Sequence, residues 1–100
     1  MPYQAPVSEY QFIFDKVVPL AQVVEKERFS EAAPDITDAV LKECGKMCES
    51  VMAPLQRPGD LHPAYLENGV VRTPPGFAEG YAAIAESGWI GISAGTQYGG

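Results

Sequence analysis

The sequence predicts a small, mainly α-helical domain of about four helices, with one short β-hairpin near residues 65–73. Two observations lead to this prediction. Apolar residues recur at three- and four-residue steps, which is the period of one face of an α-helix. The second observation is the dipeptide Asn68-Gly69, which lies between two short apolar runs. This dipeptide favours a two-residue hairpin turn, because both residues tolerate positive φ.

Length and charge limit the functions that the chain can have. The 100 residues suffice for one domain, or a piece of one, with a modest core. A formal net charge of −6 argues against a nucleic-acid partner, because the phosphate backbone requires a basic face. No apolar run approaches the roughly 18 residues of a membrane span, and the N-terminus lacks the pattern of a secretory signal. We therefore expect a cytoplasmic protein.

The longest predicted helix runs from Asp35 to about Leu55, and the other elements are expected to pack around it. Asp35 is the predicted N-cap, since its carboxylate can accept from the free amides of the first turn. Pro54 is expected to end the helix, and a loop is predicted over 56–64. The inward stripe consists of Ile36, Val40, Cys44, Met47, Cys48, Val51 and Leu55.

A capped helix is predicted before this one. Ser8 and Gln11 have the spacing of a capping box, and Val7 and Phe12 that of a hydrophobic staple. Pro19 is expected to end or kink this first helix. A short amphipathic helix should follow over 20–29, and residues 30–34 link it to the long helix.

The last predicted helix opens at Thr73-Pro74-Pro75 and runs to residue 87. Its inward face would be Phe77, Tyr81, Ile84 and Ala85. Gly88 is the predicted left-handed cap, and Gly80 indicates a close approach between helices, because glycine within a helix costs roughly 1 kcal/mol relative to alanine. Residues 89–100 predict no helix or strand of substantial length.

Three groups of residues are candidates for a functional site. Cys44 and Cys48, with His62 in a loop, are too few for a metal, and we expect two buried, reduced thiols. Glu79 and Glu86 are seven apart on a helix, where solvated charges are expected rather than an acid–base pair. Gly88, Gly91 and Gly95 do not have the spacing of a phosphate-binding loop. No catalytic, cofactor-binding or metal-binding residue is therefore predicted in this chain.

Five motifs occur in a fixed order along the chain: Val51-Met52-Ala53-Pro54-Leu55, Arg57-Pro58-Gly59-Asp60, Thr73-Pro74-Pro75-Gly76-Phe77, Glu86-Ser87-Gly88-Trp89-Ile90-Gly91-Ile92 and Tyr98-Gly99-Gly100. This ordered set resembles the N-terminal helical region of the acyl-CoA dehydrogenases. The opening Tyr3-Gln4-Ala5-Pro6-Val7 with Phe12 is similar to the family branch with an extra N-terminal segment, the long-chain-like and methylthiopropanoyl-CoA-type enzymes. One departure is Gly95-Thr96-Gln97, where the family commonly has Pro-Glu-Glu.

This resemblance implies that residues 1–34 form an N-terminal extension and residues 35–100 the start of the family's N-terminal α-domain, truncated at its C-terminal end. The parent protein would be an FAD-dependent enzyme that oxidises acyl-CoA to 2,3-enoyl-CoA. In the family, the glutamate base and the flavin contacts belong to segments that would follow Gly100. The chain alone is therefore expected to be inactive and to hold no cofactor.

The implied role of the chain is structural. It would pack against the remaining domains, wall part of the acyl pocket and contribute to a homo-oligomer. The alternative is a free-standing acidic helical module that binds a partner protein through an exposed apolar face.

Overall fold

The computed structural model describes residues 2–100 and confirms a mainly α-helical fold with one antiparallel hairpin. The chain divides into two compact units, of which the first ends at Ser50 and the second begins at Val51. The α-helices are α1 (Val7–Phe12), α2 (Leu20–Val23), α3 (Pro34–Met47), α4 (Gln56–Leu61) and α5 (Phe77–Glu86).

The first unit begins with a helix that changes its winding. After α1 the chain continues as a π-helical turn, Ile13–Val17, closed by a 2.8 Å bond from the Val18 amide to the Ile13 carbonyl. The helix then ends before Pro19, as predicted. The predicted helix over 20–29 is interrupted, because Lys26 is extended and separates α2 from a single 3-10 turn at Glu27–Phe29.

The two predicted N-caps are wrong. Pro6 precedes α1 and Ala33 precedes α3, and neither Ser8 nor Asp35 caps a helix. Pro34 occupies the first position of α3, where its fixed φ suits a helix and its missing amide would be unpaired anyway. The predicted Val7–Phe12 staple is also wrong, because Phe12 is 60% exposed.

A glycine brings the N-terminal segment onto α3. A Cβ atom at the buried Gly45 would lie 3.1 Å from the Ala5 Cβ atom and 3.1 Å from the Val7 Cγ2 atom. The Ala5 amide also donates a 2.8 Å hydrogen bond to Glu49 Oε1. The segment before α1 is therefore held against α3 by close packing and by a charge-assisted hydrogen bond.

The long helical run does not end at Pro54, in contrast to the prediction. A π-helical turn at Cys48–Met52 and a 3-10 turn at Ala53–Leu55 follow α3, and α4 then occupies most of the predicted loop. Pro54 and Pro58 are tolerated because each lies in the first turn of its helical segment, where an amide has no intrahelical partner.

The predicted hairpin is confirmed. Strands β1 (Tyr65–Glu67) and β2 (Val70–Arg72) pair antiparallel, with Leu66 opposite Val71. Asn68 and Gly69 have φ of 51° and 77°, as a type I′ turn requires. Every residue of both strands is exposed, so the hairpin supplies no core to this unit.

The last helix begins later than predicted and ends as predicted. Gly76, with φ of 84°, precedes α5, so Thr73 and Pro74 lie outside the helix. Gly88 has φ of 80° after the helix, which confirms the left-handed cap. The predicted close approach at Gly80 is also confirmed. A Cβ atom there would lie 2.5 Å from Leu55 Cδ1.

Glycines are the only buried residues in the part of the chain that the structure describes. Over residues 2–100, Gly45 and Gly80 are buried and no hydrophobic side chain is. The chain exposes 7973 Å², whereas a folded monomer of its mass exposes about 5,500 Å². The predicted inward stripe is therefore wrong in part, since Ile36 is exposed and Cys44 and Cys48 are only half-buried.

The C-terminal segment contains two single 3-10 turns, Trp89–Gly91 and Thr96–Tyr98, in agreement with the prediction of no substantial element there. Among the described residues, none of the helices combines the length and the apolar character needed to cross a lipid bilayer.

We predict that Gly80→Val destabilises the second unit by about 1–3 kcal/mol, the usual effect of overpacking, because its side chain would collide with Leu55. Ala78→Val is the matched control, since Ala78 is an exposed residue of the same helix. The control should cost less than about 1 kcal/mol, the difference in helix propensity. Urea unfolding followed by circular dichroism measures both, and equal stability of Gly80→Val and the wild type would contradict the close contact.

A second prediction concerns Asp38, which joins α1 to α3. Lys42 donates to its carboxylate at 2.6 Å and the Gln11 amide donates to it as well, and these bonds lower the pKa of Asp38 below its ordinary value of 3.8. Because the folded pKa is lowered, the stabilisation is complete above pH 3.8 and is lost as the pH falls through the lower value.

An NMR titration of the Asp38 carboxyl carbon should therefore have its midpoint below 3.8. Lys42→Met should raise that midpoint. Lys16→Met should leave it unchanged, because Lys16 pairs with Asp15 instead. A midpoint that Lys42→Met does not move would show that the Lys42 bond does not control this carboxyl.

Candidate functional site

The second unit carries an open apolar groove, which we call the α5 groove. Phe77, Tyr81 and Ile84 form one wall, because residues four and three apart lie on one face of a helix. The groove has a volume of about 310 Å³ and is lined by Met52, Leu55, Gln56, Phe77, Tyr81 and Ile84. Three of the four residues predicted to face inward thus share one surface, whereas the fourth, Ala85, is exposed and outside the lining.

The groove is suited to binding apolar groups rather than to catalysis. Phe77 is 39% exposed and Tyr81 66% exposed, so this surface is available to another molecule or segment. Its polar groups are the Gln56 amide and the Tyr81 hydroxyl, and no carboxylate, histidine or cation lines it. General acid–base catalysis most often uses histidine or a carboxylate, and the lining contains neither.

The first unit encloses a smaller cavity, the α1–α3 cavity, of about 180 Å³. Its polar side is formed by Gln11, Asp15, Thr37 and Asp38, and the rest of the lining is Phe14, Pro19, Leu20, Ala21, Pro34 and Leu41. A carboxyl with the ordinary pKa of 3.8 is already ionised at neutral pH, and the bonds from Lys42 and Gln11 lower the pKa of Asp38 further. This carboxylate acts here as a hydrogen-bond acceptor between helices and not as a proton donor.

Sequence reasoning missed the residues that hold the first unit together, namely the Gln11–Asp38–Lys42 network and the Ala5–Glu49 bond. Gln11 was interpreted as part of a capping box, although its amide donates to Asp38. Of these bonds, the sequence indicates the Asp38–Lys42 pair alone, since opposite charges four apart on a helix attract. The sequence also indicates the close contact at Gly45, because a glycine within a helix suggests a neighbour that excludes a larger side chain.

The residues considered as an acid–base pair are not brought together. Glu79 lies in the first turn of α5 and Glu86 is its last residue, and both are exposed. Seven helical residues separate them by about 10 Å along the axis, so they cannot act on one substrate atom from this helix alone.

Cysteine and histidine form no metal site within residues 2–100. Cys44 and Cys48 are free thiols on one helix, and His62 is exposed after α4. No cluster of three or more possible metal ligands occurs among the described residues.

The glycine-rich C-terminal segment folds against itself. A Cβ atom at Gly91 would lie 3.0 Å from the Gly99 carbonyl oxygen, and the Gly100 amide donates to the Gly95 carbonyl at 3.2 Å. A phosphate needs amide donors directed at it, whereas the atom that faces Gly91 is an acceptor. These glycines therefore form a loop whose two ends contact each other.

The α1–α3 cavity and the α5 groove do not fit FAD. The α1–α3 cavity is smaller than the roughly 300–1,000 Å³ of small-molecule sites, and its two carboxylates would repel a pyrophosphate. The α5 groove offers no cation to the phosphates. We therefore assign no residue of these two sites to FAD, and we derive no chemical step through it.

Comparison with known proteins gives one informative relative. No family profile matches the chain. The chain is 36% identical, over all 100 of its residues, to a protein named 3-methylmercaptopropionyl-CoA dehydrogenase from Ruegeria pomeroyi (strain ATCC 700808 / DSM 15171 / DSS-3). It spans 17% of the length of that protein. The resemblance drawn from the residues is therefore confirmed, since the whole chain is similar to one stretch of that member of the acyl-CoA dehydrogenase family.

Proposed function

We propose that this chain is a non-catalytic helical part of an FAD-dependent acyl-CoA dehydrogenase, which oxidises an acyl-CoA to a 2,3-enoyl-CoA. The observation that supports the proposal is the alignment of all 100 residues, at 36% identity, with a stretch of the protein named 3-methylmercaptopropionyl-CoA dehydrogenase. The lack of a carboxylate or histidine in the α5 groove is in accord with a supporting role, because the base and the flavin contacts would come from other segments.

The exposed apolar surface suggests how the chain would contribute. A chain that leaves large side chains exposed on α5 and on the hairpin gains stability when another surface covers them. In our proposal the remaining domains of the dehydrogenase supply that surface, and the α5 groove becomes part of an apolar wall near the acyl chain. We further propose that the parent dehydrogenase is a homo-oligomer and is located in the cytoplasm.

We retain the sequence-based domain boundary as part of this proposal. Residues 1–34 would be an extension that precedes the family's N-terminal α-domain, and 35–100 would begin that domain. The division into compact units at Ser50 is a separate property, since it follows contacts within the chain and not a family boundary.

The alternative is a free-standing acidic module that binds a partner protein. It is favoured by the net charge of −6 together with the exposed apolar faces. The two functions differ in what completes the fold. A dehydrogenase part needs the other domains of its own protein, whereas a module needs a different protein.

A chimera tests the proposal. We expect that replacing the matching stretch of the Ruegeria pomeroyi dehydrogenase with this chain gives a folded flavoprotein that oxidises acyl-CoA. The isolated chain should neither retain flavin on gel filtration nor oxidise acyl-CoA. Loss of CoA-ester substrate with a dye as electron acceptor measures activity, and visible absorbance measures flavin.

Two substitutions in the chimera distinguish packing from catalysis. Ile84→Lys places a charge in the α5 groove and should reduce the yield of flavin-loaded enzyme strongly. Glu79→Lys alters an exposed residue of the same helix and should leave the chimera unchanged. A chimera that is folded by circular dichroism but cannot oxidise acyl-CoA would contradict the proposal.

The isolated chain should self-associate. Its exposed apolar residues lie on α1, α3, α5 and the hairpin, and a second copy can cover some of them. Light scattering over a concentration series should show a mass that rises from monomer towards dimer, the commonest closed assembly. A monomeric mass at millimolar protein would indicate that the chain needs no further surface.

A further inference from the structure

Cys44 and Cys48 form a pair whose geometry is fixed by the helix. The Cys48 amide donates to the Cys44 carbonyl, which is the regular α-helical bond between residues four apart. Both thiols therefore lie on one face of the helix, and each is free and half-buried.

This geometry disfavours a disulfide between the two residues. Residues four apart on a helix have Cβ atoms about 5–6 Å apart. A disulfide needs a Cβ separation of roughly 3.5–4.5 Å, so the helix would have to distort. A single atom bonded to both sulfurs requires much less distortion of the helix. Two bonds of about 2.3 Å, the length of a zinc–sulfur bond, allow the sulfurs to be roughly 4 Å apart.

The number of ligands limits what that atom can be. Zinc in a structural site takes four protein ligands, and the described residues contain no group of three or more possible ligands. Two carboxylates are adjacent to the pair in sequence, and both are engaged: Glu43 by Lys46 and Glu49 by the Ala5 amide. The pair thus suits a soft centre that is satisfied by two sulfurs.

We propose that Cys44 and Cys48 form a two-thiol site that captures monosubstituted trivalent arsenicals. With an arsenical R–As=O, two As–S bonds form and two S–H bonds break. Both protons pass to the oxygen, which leaves as one water molecule, and arsenic stays trivalent. No oxidant or reductant is needed.

The protonation state of the pair is compatible with this reaction. Burial, and then the neighbouring Cys44, raise the pKa of the Cys48 thiol, so it is protonated at neutral pH. A thiol of this kind reacts slowly with alkylating agents, which require the thiolate. The arsenical instead consumes the two protons as it releases water, so no net proton is lost to solvent.

Phenylarsine oxide tests the site on the full 100-residue chain. Intact mass spectrometry should show one arsenical per chain, with the loss of one water, in the presence of excess 2-mercaptoethanol. Cys44→Ser or Cys48→Ser should each weaken retention about 100-fold or more, because the second As–S bond is then no longer intramolecular. Retention that either variant leaves unchanged would overturn the proposal.

A variant with shifted spacing separates a preformed site from two flexible thiols. Cys48→Ser combined with Ser50→Cys keeps two thiols but places them about a third of a turn apart around the helix and about 9 Å apart along its axis. In native buffer this variant should retain the arsenical as weakly as the single-thiol variants do. In urea, where the helix is unfolded, it should retain the arsenical as well as the wild type does. Circular dichroism checks the helicity in both conditions. Equal retention in native buffer, or rapid formation of a Cys44–Cys48 disulfide with oxidised glutathione, would contradict the site.

Discussion

The close approach of other groups to the backbone of a helix is the constraint on which both units depend. At Gly45, Ala5 and Val7 occupy the space where a side chain would be, and at Gly80 Leu55 does the same. Without a Cβ atom, a helix can be contacted at van der Waals distance from its own backbone, which increases dispersion contacts over a small area. In a chain with so little buried apolar surface, such contacts fix the arrangement within each unit.

Because the buried contacts are few, much of the apolar surface of the chain remains exposed. Long apolar side chains remain partly exposed because each unit has too few elements to enclose them. The hydrogen bonds of Asp38 and Glu49 fix how the segments of the first unit are oriented. A charge-assisted hydrogen bond requires one geometry, whereas apolar packing tolerates several. Stability and specificity thus come from different residues.

Features set by local chemistry could be predicted from the sequence. The Asn68-Gly69 turn and the Gly88 cap depend on positive φ, which few residues adopt, so the residue type reveals the conformation. The caps at Ser8 and Asp35 failed because prolines at 6 and 34 set the helix starts instead. The loop predicted over 56–64 failed because a proline in a first turn is compatible with a helix.

The candidate site was harder to predict than the fold. Spacing alone indicated that Phe77, Tyr81 and Ile84 share a face, but not that the face is open. Contacts between distant residues, such as Leu55 with Gly80 and Gln11 with Asp38, depend on how elements pack. No pattern of the sequence encodes that packing directly, although the glycine at each close approach is a usable sign.

The π-helical turn after α1 has an implication for chain length. A π turn contains one residue more than an α turn over the same span, and here the extra residue lies within Ile13–Val17. A deletion of one residue in this interval would restore an uninterrupted α-helix, whereas a deletion elsewhere in the helix would rotate the side chains that follow by about 100°. Insertions and deletions among homologous chains should therefore be tolerated at this turn before any other point of the helix.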